Sequence, residues 1–239
     1  MDEKQFSSAA LADHLRGLGA DLVGFARLDG VAGLDGIAGG RLTRGVSIAL
    51  RLPREVVAGI ADGPTRDYID AYNDLNARLD ALAEACERYL TDAGFEACAL
   101  TRSRVEYVAE AQTRLPYKTV AVRAGLGWIG RSAMFVTERY GSAVRLTAVL
   151  TDAPLETAEP TTGSRCGGCS RCAEACPGHA ITGQLWHAGM ARAELFDPIA
   201  CREKARALAL ERTGEVITLC GKCIEVCPYT RRYLAESGD

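Results

Sequence analysis

The sequence holds no apolar stretch long enough to cross a bilayer, and its first residues, Met-Asp-Glu-Lys-Gln-Phe, offer no basic region followed by an apolar run. The first absence excludes a helical membrane protein. The second points away from export and toward a reducing, cytoplasmic setting. Basic charge is not in excess either: 28 Lys and Arg against 31 Asp and Glu give a net charge of −3. A broad phosphate-binding surface would need the opposite balance, although local basic patches remain compatible with it. Histidine is scarce, with His14, His179 and His187 scattered along 239 residues, which excludes a histidine-rich metal site.

Cysteine is what the chain has in quantity. Eight of its ten cysteines fall in two runs, Cys166-x2-Cys169-x2-Cys172-x3-Cys176-Pro177 and, after a lone Cys201, Cys220-x2-Cys223-x3-Cys227-Pro228. Thiolates separated by two-residue loops close on one iron–sulfur cube, and the cysteine set three residues further on, before proline, reaches the neighbouring cube. The spacing assigns Cys166, Cys169, Cys172 and Cys227 to one 4Fe-4S cluster. It assigns Cys220, Cys223, Cys176 and Cys201 to the other, with Cys201 replacing the first cysteine of a compact second run. Zinc would leave the third thiolate of the first run unused, and a disulfide framework belongs to small secreted chains. Cys86, in a helical pattern, and Cys98, in an apolar strand-like run, read as buried small hydrophobes.

A chain of this length leaves a separate core beside the cluster segment. Two domains are expected, 1–158 and 159–239, with the Pro-, Thr- and Gly-rich stretch 154–163 as boundary. Periodicity predicts helices over 6–18, 65–91 and 119–123, the second with Tyr72, Leu75, Leu79, Leu82 and Cys86 on one face. Strands are predicted over 21–28, 46–52, 95–100, 134–137 and 143–151, with a Gly-rich loop at 29–40 and an ambiguous segment at 105–111. The class is α+β, with strand order open.

The densest signal before the cysteines is Gly125-Leu-Gly127-Trp128-Ile129-Gly130. Glycines here let backbone approach a flat or phosphorylated cofactor, or make a tight turn that packs Trp128 into the core. A Rossmann fingerprint fits poorly, because the stretch follows a helical pattern and position 145 is Arg where an acidic ribose partner is needed. NAD stays a minor alternative.

The stretch Lys118-Thr-Val-Ala-Val-Arg123-Ala-Gly125-Leu-Gly127-Trp128-Ile129-Gly130-Arg131-Ser, then Tyr140-Gly-Ser, then Thr151-Asp152-Ala-Pro154-Leu155, and then the double cysteine run, resembles the epoxyqueuosine reductase family. The likeness spans 118–229. It implies a nitroreductase-like α/β domain that binds cobalamin, fed by a ferredoxin-like domain with two 4Fe-4S clusters, a plan that reductive dehalogenases share. Gly127, Trp128, Ile129, Gly130 and Arg131 would then face the corrinoid. Lys118 and Arg123 would stand near its amide side chains or nucleotide phosphate, unless they are plain solvated charges.

The sequence departs from the family in two places. Members that modify tRNA carry an aspartate proton donor about a dozen residues before the glycine segment, yet no aspartate lies between Thr101 and Ala124. Glu106 or Glu110 could substitute, and no residue is assigned as catalytic. Full-length members continue into a helical-repeat extension, whereas this chain ends ten residues past Tyr229, which argues against tRNA as substrate. Asp13-His14-Leu15-Arg16-Gly17 approximates a cobalt-ligand motif with its aspartate one place out, so His14 is expected on an exposed helix face. The functional expectation is a cobalamin-dependent reductase supplied by an external low-potential donor of ferredoxin or flavodoxin type. The alternatives are an electron-transfer partner of another corrinoid protein, and FMN in place of the corrinoid.

Overall fold

The computed structural model describes residues 6–109 and 112–236. Chain contacts divide it into two units of three segments each: Met1–Leu50, Asn76–Leu126 and Arg145–Thr161 in the first, Arg51–Leu75, Gly127–Val144 and Thr162–Asp239 in the second. The boundary expected at 158 lies beside the last passage from the first unit to the second. The earlier passages, into 51–75 and 127–144, carry no compositional mark, because long-range packing and not linker chemistry decides them.

In the first unit, Leu11, Ala12 and Leu15 recur at helical spacing and are buried on α1 (Ser8–Gly17). The Ser7 hydroxyl caps this helix, accepting from the Ala10 amide at 3.3 Å. β1 (Leu22–Arg27) pairs antiparallel with β2 (Arg44–Arg51), Leu22 opposite Ala49, and the run Val46, Ile48, Leu50 is wholly buried. α2 (Arg66–Asp92), which belongs to this unit from Asn76 onward, buries Leu79, Leu82 and Cys86; its earlier turns, counted with the second unit, bury Leu75 and half-bury Tyr72, the face that the spacing predicts. β3 (Ala97–Ala99) is shorter than expected. α3 (Tyr117–Arg123) and α1 pack on β1. β4 (Val144–Thr151) pairs antiparallel with β3, Thr151 opposite Ala97, to complete a sheet of order β1-β2-β4-β3. A core of Ala26, Leu28, Leu34, Leu42, Leu100, Leu115, Val120, Ala148 and Leu150 forms in this unit. Each such leucine contributes about 2 kcal/mol of burial. Of the ambiguous segment 105–111, Tyr107–Ala109 forms a short strand paired antiparallel with Gln112–Thr113, and residues 110–111 lie outside the described residues.

The second unit is tied together by polar contacts between its distant segments. The two-residue strands Trp128–Ile129 and Phe135–Val136 form a hairpin, so the strand expected at 134–137 is one arm of it. α4 (Pro198–Thr213) fills the gap between Cys201 and Cys220; Asp197 caps it, accepting from the Ile199 and Ala200 amides at 2.8 and 3.1 Å. α5 (Pro228–Ala235) follows the last cluster cysteine, with proline at its first position. From α5 the Tyr233 hydroxyl donates to the Leu52 carbonyl at 2.8 Å, and the Thr230 hydroxyl oxygen accepts from the Ser142 amide at 3.1 Å. The Lys222 ammonium donates to the Ala61 carbonyl at 2.6 Å. These bonds bring 51–75 and 127–144 into the cysteine-bearing unit. No helix of the described residues is long and apolar enough to cross a membrane.

Candidate iron–sulfur centre

All eight clustered cysteines lie in the second unit, and their thiols influence one another across the two runs. Cys172 feels the charges of Cys166, Cys227 and Cys169. Cys201 feels Cys176 and Cys220, and Cys223 feels Cys220, Cys201, Cys172 and Cys176. By these neighbours Cys227 falls with Cys166, Cys169 and Cys172 in a first group and Cys176 with Cys201 and Cys220 in a second, while Cys223 adjoins Cys172 as well as the second group. A small cavity beside the first group is lined by Cys166, Cys169, Cys172 and Cys227, and also by Cys223, together with Gly130, Arg131 and Tyr229.

Burial, reinforced by neighbouring thiols, pushes the Cys172 thiol up to about 11, and burial raises Cys201, Cys220 and, furthest, Cys223. Such crowded thiols ionise only where cationic metal offsets the desolvation, and a ferric–ferrous cube does so. Backbone N–H groups are also turned toward sulfur. The Ala180 amide donates to Cys176 Sγ at 3.3 Å, and amides at Ala173 and Lys222 favour the thiolates of Cys172 and Cys220. Four soft donors per group, with amides aimed at them, fit a 4Fe-4S cluster.

Around the first group the glycine segment has its own packing. A Cβ on Gly127 would collide with the Val136 carbonyl; one on Gly130 would meet Val136 Cγ2 at 2.8 Å and Cys166 Sγ at 3.5 Å. Trp128 is fully buried and meets Tyr229 edge-on at 4.8 Å between centroids, with the Arg165 guanidinium over its indole at 5.5 Å; Ile129 is buried beside it. The Trp128 Nε1–H has no hydrogen-bond partner. Arg131 straps the first cysteine loop, donating from Nε to the Cys169 carbonyl and from Nη2 to the Gly167 carbonyl, both at 2.8 Å. Lys118 and Arg123 stand half-buried on α3 of the first unit, Arg123 donating to the Arg27 carbonyl at 3.0 Å.

The remaining expectations resolve one by one. Glu106 is exposed and paired with Arg114 at 2.6 Å, and Glu110 lies outside the described residues. His14 is exposed on α1, its ring 5.0 Å from that of Tyr89, as expected. Cys86 is buried, its thiol pushed up to about 12 by desolvation, while Cys98 is half-buried at the margin of the apolar core. Glu225 was not singled out by the sequence. It is only 1% exposed, and its carboxylate accepts from Lys222 at 3.3 Å and from Arg231. The only sequence signal for it is an acid inside Cys223-x3-Cys227 flanked by basic residues.

Comparison with known proteins bears on these groups. Residues 165–230 match the family described as a 4Fe-4S double cluster binding domain. Epoxyqueuosine reductase of Synechococcus sp. (strain CC9605) is 31% identical over 175 residues, covering 73% of this chain and 50% of that protein. The chain spans half or less of the length of the curated relatives it matches. Among solved structures, a reductive dehalogenase described as suggesting a mechanism for B12-dependent dehalogenation superposes with TM-score 0.68 at 20% identity, over 94% of this chain and 31% of its own. An epoxyqueuosine reductase with an epoxyqueuosine-modified tRNA-Tyr stem loop gives TM-score 0.60 at 20% identity, over 93% of this chain and 65% of its own. The chain shares their fold.

Proposed function

From the premise that this chain is a relative of the epoxyqueuosine reductases, we propose that it is an iron–sulfur reductase, holding two 4Fe-4S clusters and delivering their electrons to a corrinoid carried by its nitroreductase-like first part. The observation that carries the reading is the match of residues 165–230, which hold all eight clustered cysteines, to a 4Fe-4S double cluster binding domain. Bound there, the clusters would supply one-electron storage and transfer, and a corrinoid would supply a strongly reducing cobalt centre.

The chain's own residues hold and insulate these groups. Arg131 fixes the two loop carbonyls that set the positions of Cys166 and Cys169. Tyr229 and Pro228 line the cavity beside the first group. The amides at Ala173, Ala180 and Lys222 favour the more negative, reduced state of whatever the sulfurs ligate. For the corrinoid, support comes from likeness: the matching motif and the B12-dependent dehalogenase neighbour. The buried, unpartnered Trp128 Nε1–H is a donor that a ligand could satisfy.

A second reading has an observation of its own. Val136 takes the space beside Gly127 and Gly130, and Arg131 is spent on the cysteine loop, which favours an electron-transfer partner of another corrinoid protein with no cofactor beyond its clusters. Anaerobic reconstitution with iron, sulfide and cobalamin, followed by gel filtration and elemental analysis, separates the two. Two cubes per chain with retained cobalt support the reductase. Two cubes without cobalt support the partner, a yellow chromophore indicates FMN, and iron well short of two cubes defeats all three.

A further inference from the structure

A surface groove of about 380 Å³ opens beside the cysteine loops, lined by Arg171, Glu174, Ala175, Val226 and Arg231. Arg171 immediately precedes Cys172, Ala175 precedes Cys176 and Val226 precedes Cys227, so the groove lies against backbone that belongs to both thiol groups. Its charge is positive. Arg171 is exposed, Glu174 is engaged by the Ser170 hydroxyl, and the single buried carboxylate of Glu225 is shared between Arg231 and Lys222, leaving one cation in excess there. Arg165 is exposed in the same unit. Cations exceed anions from Arg165 to Glu236, although the whole chain is acidic.

We propose that this groove is the docking surface of the electron donor, and that the donor is a small acidic redox protein. The inference rests on the reading above that the thiols hold clusters. Electron transfer between proteins needs close approach for a short time, which suits a small polar interface whose opposite charges steer encounter. A phosphate polymer would feel the same charge, but gains nothing from a groove set against cluster-bearing backbone. A donor does.

Reduced flavodoxin serves as the probe, with cluster bleaching of the anaerobically reconstituted chain followed by stopped flow. The second-order rate falls as salt rises. Arg171→Glu lowers it about tenfold at low salt and converges with the parent at high salt, while Glu174→Lys raises it. Reduction by a small uncharged photoreductant is the same in all three proteins. An unchanged rate in Arg171→Glu overturns the proposal. So does a deficit that persists at high salt, since that assigns the effect to cluster potential. Loss of binding to an RNA stem loop with no loss of flavodoxin rate makes the groove a phosphate surface, and again the proposal falls. If the parent chain shows no bleachable iron–sulfur absorption with either reductant, the cluster reading itself has failed.

Discussion

In the first unit the side chains that leave solvent are aliphatic and contiguous, Ala26, Leu28, Leu100, Val120 and Leu150 among them, whereas from 162 to 221 the second unit buries only Ala180, Trp186, Leu195, Ala205, Ala209 and Leu219. The helical turns that carry its cysteines, Arg171–Glu174 and Lys222–Glu225, are four residues each, too short to persist on their own hydrogen bonds. One unit is held by hydrophobic burial. In the cysteine-bearing stretch of the other, caps, carbonyl straps and metal ligation would take over much of that role, as in small domains whose metal binding is folding energy, while its segments 51–75 and 127–144 bury Leu52, Ile60, Ile69, Trp128 and Phe135.

The largest expected effect breaks this comparison directly. Stripping iron with a chelator, or replacing Cys172→Ser, should abolish hydrogen-exchange protection in α4 and α5 while amides of β1 and β2 stay protected. Equal protection in both units after iron loss would show that the cysteine segments fold without their metal. Next comes Gly141→Ala. Gly141 has φ 58°, and an added Cβ would strike the Thr230 amide and hydroxyl, so the second unit should lose roughly 3 kcal/mol. A denaturant midpoint within error of the parent would contradict that packing.

Cys86 sharpens the other side. Its thiol is neutral in folded and unfolded chains below pH 9.0; between there and about 12 the unfolded chain loses the proton and the folded chain keeps it. Stability of the first unit should therefore fall as pH rises through that window, by at most about 1.4 kcal/mol per pH unit. Cys86→Ala, though less stable throughout, should show a shallower slope in alkaline urea titrations, the remainder coming from Cys98 and Tyr117, which burial also pushes up. The smallest effects are paired caps. Ser7→Ala on α1 and Asp197→Ala on α4 should each cost about 1 kcal/mol in the iron-loaded chain. After chelation the Asp197→Ala cost should vanish and the Ser7→Ala cost should remain.

Where the signal was local, the sequence carried it. Cysteine spacing implied the double-cluster domain that residues 165–230 match, and the repeats Leu75, Leu79, Leu82 gave the buried face of α2. His14 is exposed on α1, as its place in the helical pattern implies. Long-range partners left no local trace. Nothing in Arg131 announces the Cys169 and Gly167 carbonyls, nothing in Leu52 announces Tyr233, and Glu225 looks like any surface acid until Lys222 and Arg231 close on it. The glycine segment was legible as a place where backbone must pass closely. What fills the space, Val136 on the opposite arm of a hairpin, depends on a pairing that two-residue strands are too short to advertise.

The chain has two tryptophans, Trp128 and Trp186, and both are buried in the second unit. Indole fluorescence therefore reports that unit alone, with no background from the first. Iron–sulfur chromophores absorb where indole emits, so the glow of Trp128, set edge-on to a tyrosine of the first cage, should brighten as that cage empties and redden as water reaches the ring. The molecule carries its own optical gauge of cluster occupancy.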